Sequence, residues 1–246
     1  MNRLTTRVRG RETLLESEID AMFALYGSYY DGTTVEIFRE DLAGKSHVLM
    51  LESEGALRGF STLAVIDFEF EGAANRAIFS GDTIIDHQFW GEQELVRAFC
   101  RFAGALRAEA PALPLFWLLI SKGYRTYRYL ETFAHDYQPH HSREPSREAR
   151  ARLETLARRK FGASFDAAAG LLRFPESRGQ LKSRWAEVRD PLQQHPAVHY
   201  FLERNPRFHA GEELVCLTEL ATENLRSFAR RAFLEGFGAP EAAARA

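Results

Sequence analysis

Residues 76–134 alternate strand-like and helix-like stretches in an order that leaves few folds open. RAIFSGDTIID reads as a strand and residues 87–91 as a turn. From about 92 to 109, Leu95, Val96, Phe99, Phe102, Ala103 and Leu106 recur at helical spacing, while Arg97, Arg101 and Arg107 point away. Past Pro111, LPLFWLLI is apolar on both sides, as a central strand covered on two faces should be. Ser121-Lys122-Gly123 then leads into a basic, aromatic helix, YRTYRYLETFA. Strand, helix, strand, helix is a crossover unit joining neighbouring strands of one sheet. A ligand that uses backbone amides is expected where the first strand ends and the next helix begins. Early helix amides lack intrahelical partners, and the dipole there attracts negative charge.

The flanking chain supplies more of the sheet. Residues 12–29 form a helical stripe of Leu14, Leu15, Ile19, Met22, Phe23 and Tyr26. Thr33 or Thr34 caps a second, short helix that Gly44 closes. Strands follow at 47–52 and 57–71, the second alternating Ile66, Phe68 and Phe70 against Asp67, Glu69 and Glu71. A turn at 72–75 makes an antiparallel hairpin with the 76–86 strand. Composition changes near His140. The spacing predicts a core over 1–140, a helical insertion over 141–205, and a returning strand (212–217) with a C-terminal helix capped by Thr222 over 206–246. The tail past Gly238 is expected to fray.

A formal charge of −2 over 246 residues argues against nucleic-acid binding by the whole chain. Cys100 and Cys216 sit in apolar periodic segments, as buried free thiols do in a reducing compartment. No signal-like run follows the basic amino terminus, and no stretch approaches the ~20 apolar residues of a membrane span. The expectation is a soluble, cytoplasmic protein without a membrane partner.

Helix, helix, strand, long strand, strand, helix, strand, helix, strand resembles the element order of the GNAT (N-acetyltransferase-like) acyltransferases. That family places Gln/Arg-x-x-Gly-x-Gly/Ala directly after its fourth strand. Here Gln88-Phe89-Trp90-Gly91-Glu92-Gln93 occupies the place, matching at Gln88 and Gly91 and departing at Gln93. The family's later Tyr-x-x-x-Gly-Phe corresponds to Tyr129-Leu130-Glu131-Thr132-Phe133-Ala134, which keeps only the tyrosine. The resemblance, over roughly 14–137, implies an α/β fold with a GNAT-like mixed central sheet flanked by helices, here a divergent member with a helical insertion or extension. It implies a pantetheine arm along Ile84, Ile85 and Asp86, and a pyrophosphate on amides from Gln88 through Trp90 and Gly91 to Gln93. The donor would be an acyl-coenzyme A or a carrier's phosphopantetheine thioester.

Acyl transfer to an amine needs a base, an oxyanion donor and an acid for the leaving thiolate. Asp82 is the first candidate base, because a mid-strand carboxylate in apolar surroundings needs a reason to be there. Strand alternation places it on one face with Ser80, Ile84 and Asp86. Glu69 is the second candidate. Tyr129 is the candidate acid, its phenol pKa of about 10 lying just above a thiol's of ~8.5. Lys122, Arg125 and Arg128 form a basic cluster at the same sheet end. His135, Asp136, His140 and His141 match no closed zinc pattern, and no metal is expected. The acceptor would be a small-molecule or carrier-bound amine. The arginine-rich stretch 143–160 offers a surface for an acidic carrier protein or RNA, although salt-bridged helix faces produce the same run. Two alternatives stay open: a binding or scaffold protein with a degenerate GNAT fold, and an aminoacyl-tRNA-dependent transferase.

Overall fold

The computed structural model describes residues 4–175 and 178–239. The fraying expected of the tail falls almost wholly beyond them. One mixed sheet of eight strands organises the chain. Its strands are β1 (Thr5–Gly10), β2 (His47–Ser53), β3 (Ala56–Phe70), β4 (Ala73–Ile85), β5 (Leu115–Ser121), β6 (Phe165–Asp166), β7 (Leu171–Leu172) and β8 (Glu213–Glu219), in spatial order β1-β2-β3-β4-β5-β8-β7-β6. β4 and β5 are parallel; the other neighbours are antiparallel. The longer helices are α1 (Glu16–Tyr29), α2 (Val35–Ala43), α3 (Glu94–Glu109), α4 (Tyr124–Phe133), α5 (Arg147–Phe161), α6 (Pro196–Arg204) and α7 (Ser227–Phe237).

Strand alternation divides the core between the two sheet faces. Leu49, Leu51, Leu63, Ile78, Trp117 and Leu119 pack under α3, α4 and α7. On the other face Val48, Met50, Phe60 and Ile84 meet Met22, Tyr26 and Tyr29 of α1. Beside them Ala77, Phe79, Phe116 and Leu118 meet Leu153, Leu156 and Ala157 of α5. Cys100 and Cys216 are both buried free thiols. α3 and α7 cross at backbone contact. A Cβ on Gly104 would stand 1.9 Å from the Phe233 carbonyl oxygen, and one on Gly236 2.0 Å from that of Arg101.

The order of elements expected from the sequence between 14 and 137 is present, in a mixed sheet flanked by helices. The Thr34 hydroxyl accepts from the Ile37 N–H (3.3 Å) at the start of α2, and Gly44 ends that helix. Three details differ from expectation. The polar segment TTRVRG forms β1, held across the edge by Arg7 bonded to Glu52. The 141–205 segment is not all helix, since β6 and β7 form a hairpin that extends the sheet beyond β8. Asp166 makes that turn by accepting the Ala168 and Ala169 N–H groups, both at 3.1 Å. Thr222 does not cap α7, which starts at Ser227.

Candidate functional site

Two features of β4 make the site. The first is a bulge. Ser61 pairs with Thr83 and Leu63 with Ser80, so Gly81 and Asp82 together oppose Thr62 alone. A Cβ on Gly81 would lie 2.6 Å from Lys45 Cε and 2.7 Å from Thr62 Oγ1, so any larger residue would push these side chains aside. The bulge reverses the alternation expected from sequence. The Ser80 hydroxyl accepts from Trp117 Nε1 (2.8 Å) on the α3 face, whereas Ile84 packs with Phe60 and α1 on the opposite face. Asp82 goes with Ile84, and the four residues expected on one face are split between two.

The second feature is a splay. β4 pairs with β5 only from Arg76 to Ser80, then runs on alone to Ile85, while β5 stays zipped to β8 through Ser121. The Asp86 N–H points back to the Arg58 carbonyl (2.7 Å), so by alternation the Thr83 and Ile85 backbone groups face the opening. The 178–189 stretch bridges this end of the sheet. Tyr30–Asp31 pairs with Gln180–Leu181, and Lys122 Nζ donates to the Arg178 carbonyl at 2.9 Å.

On the α1–α5 face lies a cavity of about 560 Å³ holding Asp82, Glu213, Lys122 and Lys160 between the rings of Tyr26, Tyr30 and Phe79. Lys122 Nζ stands 3.6 Å from the Glu213 carboxylate. Lys45, behind the wall with its side chain 1% exposed, is bound by the Asp41 carboxylate. Asp82 has no hydrogen-bond or ion-pair partner among the described residues. Burial and the Asp41 charge push it up to about 6, with Lys122 and Lys45 pulling the other way. Burial likewise pushes Glu213 up to about 6 against the pull of Lys122. Tyr26 and Tyr30 stack at 4.6 Å, and their burial raises both phenols so that they stay neutral donors.

Between the end of β4, α4 and the 181–192 stretch a second cavity of about 640 Å³ is lined by Ile84, Ile85, Trp90, Gly91, Tyr124 and Tyr129, with Arg125, Arg128, Arg184 and Arg189 around it against the single carboxylate of Glu187. The Arg125 guanidinium lies 4.7 Å from the centres of the Trp90 and Tyr124 rings and donates to the Trp185 carbonyl at 2.8 Å. Trp185 packs 5.1 Å from Tyr29 and 5.2 Å from Trp90. The Tyr124 hydroxyl is buried with no partner among the described residues. The Tyr129 phenol is raised by burial. Tyr30, Thr83 and Thr126 line both cavities, so the two chambers share a wall at the splay.

Several candidates fall outside this arrangement. Glu69 pairs opposite Ala74 at the hairpin end of β3, roughly 27 Å along β4 from Asp82 at ~3.4 Å per residue, too far to act as its alternate base. Asp86 serves the turn, accepting the Gln88 N–H at 3.1 Å with Arg58 3.6 Å away. Gln88 and Gln93 are exposed and line neither cavity. The amide nest is largely closed. The Phe89, Trp90 and Glu92 N–H groups are bonded to the carbonyls of Asp86, His87 and Phe89, and the Gln88 N–H to the Asp86 carboxylate. The 3-10 turn His87–Phe89 is the cause. The Ile85 carbonyl, expected to meet pantetheine, accepts from Trp90 Nε1 at 2.9 Å. Guanidinium groups, not loop amides, supply most of the positive charge here.

Glu213, Lys160 and Trp185 are site residues that sequence reasoning missed. Glu213 opens a strand recognised only by its apolar run, and Lys160 lies in a basic helix read as a solvated face. Among the described residues no group of three or more His, Cys, Asp or Glu could hold a metal ion. His140 stacks on Tyr137 and His141. No helix of the described residues is long and apolar enough to cross a membrane.

No family model and no curated protein matches this sequence. Among solved structures, part of the chain is similar to an acyl-CoA N-acyltransferase from Pseudomonas aeruginosa, at 18% identity over 52% of this chain and 86% of that one, TM-score 0.38. A probable N-acyltransferase from Enterococcus faecalis gives 18% identity over 53% of this chain, TM-score 0.38; the match spans 33% of that longer protein. A GNAT family N-acetyltransferase from Escherichia coli, in complex with CoA, gives 16% identity over 61% of this chain and 79% of that one, TM-score 0.38.

Proposed function

We propose that this GNAT-like chain is an acyltransferase that moves an acyl group from a coenzyme A or phosphopantetheine thioester to an amine. One observation carries the reading: two adjoining chambers share the wall of Tyr30, Thr83 and Thr126 where β4 and β5 part. A thioester carbonyl at that wall would be open to an amine from the Asp82 side. Its pantetheine and nucleotide would extend into the arginine-rich chamber.

The chemistry follows from the groups present. The amine nitrogen attacks the thioester carbonyl carbon, and its surplus proton passes to the Asp82 carboxylate. A base with a pKa of about 6 is largely ionised at neutral pH yet still accepts a proton. The Thr83 N–H, facing the splay, holds the oxygen as it becomes negative. The C–S bond then breaks and Tyr129 protonates the thiolate, with the unpartnered Tyr124 hydroxyl on the same wall.

Differential scanning fluorimetry with coenzyme A, acetyl-coenzyme A and long-chain acyl-coenzyme A tests the donor. A ligand of the native state at about 100-fold over its Kd adds roughly 2.7 kcal/mol, raising the Tm by about 5–10 °C for a chain of this size. No shift with any of them would leave the scaffold reading in its place. Arg125→Ala should weaken coenzyme A binding by about tenfold, the scale of one charge-assisted contact, while sparing pantetheine, which lacks the nucleotide phosphates. Equal losses for both probes would remove Arg125 from phosphate recognition.

The arginine run of α5 is in good part consumed within the chain. Arg152 pairs with Glu148 and packs on Phe70 and Phe116, and Arg150 pairs with Glu144. No observation therefore favours the aminoacyl-tRNA reading.

A further inference from the structure

The Asp82 chamber carries an unusual distribution of charge. Two nearby cations are already engaged, Lys122 of the chamber with Glu213 at 3.6 Å and Lys45 behind its wall with the Asp41 carboxylate. Among the described residues, four charged groups lining the chamber form no ion pair: Glu40 and Arg178, both exposed at its edge, and the less exposed Asp82 of the β4 bulge and Lys160 of the last turn of α5. They form no ion pair with each other. Lys160 Nζ lies 5.0 Å from the centre of the Phe79 ring, and Lys45 Nζ lies 5.5 Å from the same ring, so the two ammonium groups share one aromatic ring. Burial and the charge of Lys45 pull the Lys160 ammonium down, with Asp41 acting the other way. Separated, uncompensated charges of opposite sign in one chamber are costly when empty. A ligand bearing both complementary charges would satisfy them together.

Resting on the acyl-transfer reading above, we propose that the acceptor is a free amino acid with an apolar side chain, its ammonium at Asp82 and its carboxylate at Lys160. Lys160 is the less exposed of the two unpaired cations, Arg178 standing at the exposed edge, and its single charge matches a carboxylate better than the double charge of a phosphate. The remaining walls, the rings of Tyr26, Tyr30, Phe38, Phe79, Phe161 and Phe174, suit an apolar side chain. Asp82 would then orient the amine before it takes its proton, and Lys160 would fix the other end so that the nitrogen faces the splay.

The test needs no thioester. Phenylalanine, leucine and methionine are titrated into the full chain by calorimetry, each beside its methyl ester and its decarboxylated amine. The expected result is that at least one free amino acid binds about tenfold or more tightly than both of its derivatives, the scale of a partly buried ion pair. Lys160→Gln should bring that ratio to about one, and Lys160→Arg, which keeps the charge, should restore a preference. Circular dichroism of both variants verifies that they are folded. Binding of no free amino acid, equal binding of acid and decarboxylated amine, or a preference that survives Lys160→Gln would each overturn the proposal. The fluorimetric test with coenzyme A thioesters is run without any amine. Failure there strikes the acyl-transfer reading, whereas failure here strikes only the identity of the acceptor.

Discussion

Asp82→Asn is expected to lower kcat by about 10²–10⁴-fold, the range lost with a positioned general base, and at the same time to stabilise the protein at pH 7. The two effects share a cause. The folded protein raises the Asp82 carboxyl from its ordinary range to about 6, through burial and the Asp41 charge. A carboxyl raised on folding contributes stability that is fully present below its ordinary pKa and lost as pH climbs through about 6. At pH 7 the ionised group is thus a burden on the fold, and the neutral amide lifts it. Each recovered kcal/mol raises the Tm of a chain this size by about 2–4 °C. The gain should fade toward pH 4, where Asp82 is protonated and the wild type carries no such burden. The acid limb of kcat/KM in the wild type should have its midpoint near 6 and flatten in the variant. Asp41, Lys45, Lys122 and Glu213 all face this group, and Glu213 titrates in the same range, so the limb belongs to the pair. A variant as active as the wild type would exclude Asp82 as the base; a Tm at pH 7 unchanged or lowered would contradict the raised carboxyl.

Gly104→Ala should cost about 3 kcal/mol or more, at the top of the range for overpacked sites. The atom that a new methyl would meet is the Phe233 carbonyl oxygen, 1.9 Å away, and backbone cannot rotate aside. α7 would have to lift from α3, exposing Phe99, Phe102 and Phe233 of the largest core cluster. Gly236→Ala faces the Arg101 carbonyl at 2.0 Å and should cost a similar amount. Because both changes separate the same two helices, the double variant should be far less destabilised than the two costs added together. Urea denaturation of the single and double variants measures this directly. Full additivity would mean that the helices yield independently, not as one contact.

The framework was legible in the sequence wherever burial is uniform along an element. The β4–α3–β5–α4 unit declares itself because α3 keeps one apolar stripe and β5 is apolar on both sides. β1 was not legible because it is an edge strand with a polar sequence, held largely through its ladder to β2. β6 and β7, two residues each, are too short to show any period. The site was harder. A bulge exists only between two strands, so no period within β4 announces that Gly81 and Asp82 share one opposing residue, and Gly81 alone gave a hint. Glu213 and Lys160 are brought to Asp82 by the sheet order and by α5 crossing it, relations that no local spacing encodes. The closing of the amide nest is likewise not encoded locally. A glycine-containing turn before a helix can offer its N–H groups outward or spend them on its own carbonyls, and only the folded turn decides which.

The common wall of Tyr30, Thr83 and Thr126 has a kinetic consequence. If each reactant enters through its own chamber, neither blocks the other's route, and no acyl-enzyme stage is needed to carry the group between visits. Both must be aboard together when the bond is exchanged. Initial-rate lines at several fixed donor concentrations would then converge on one point instead of running parallel, and dead-end analogues of either reactant would leave the other's doorway free.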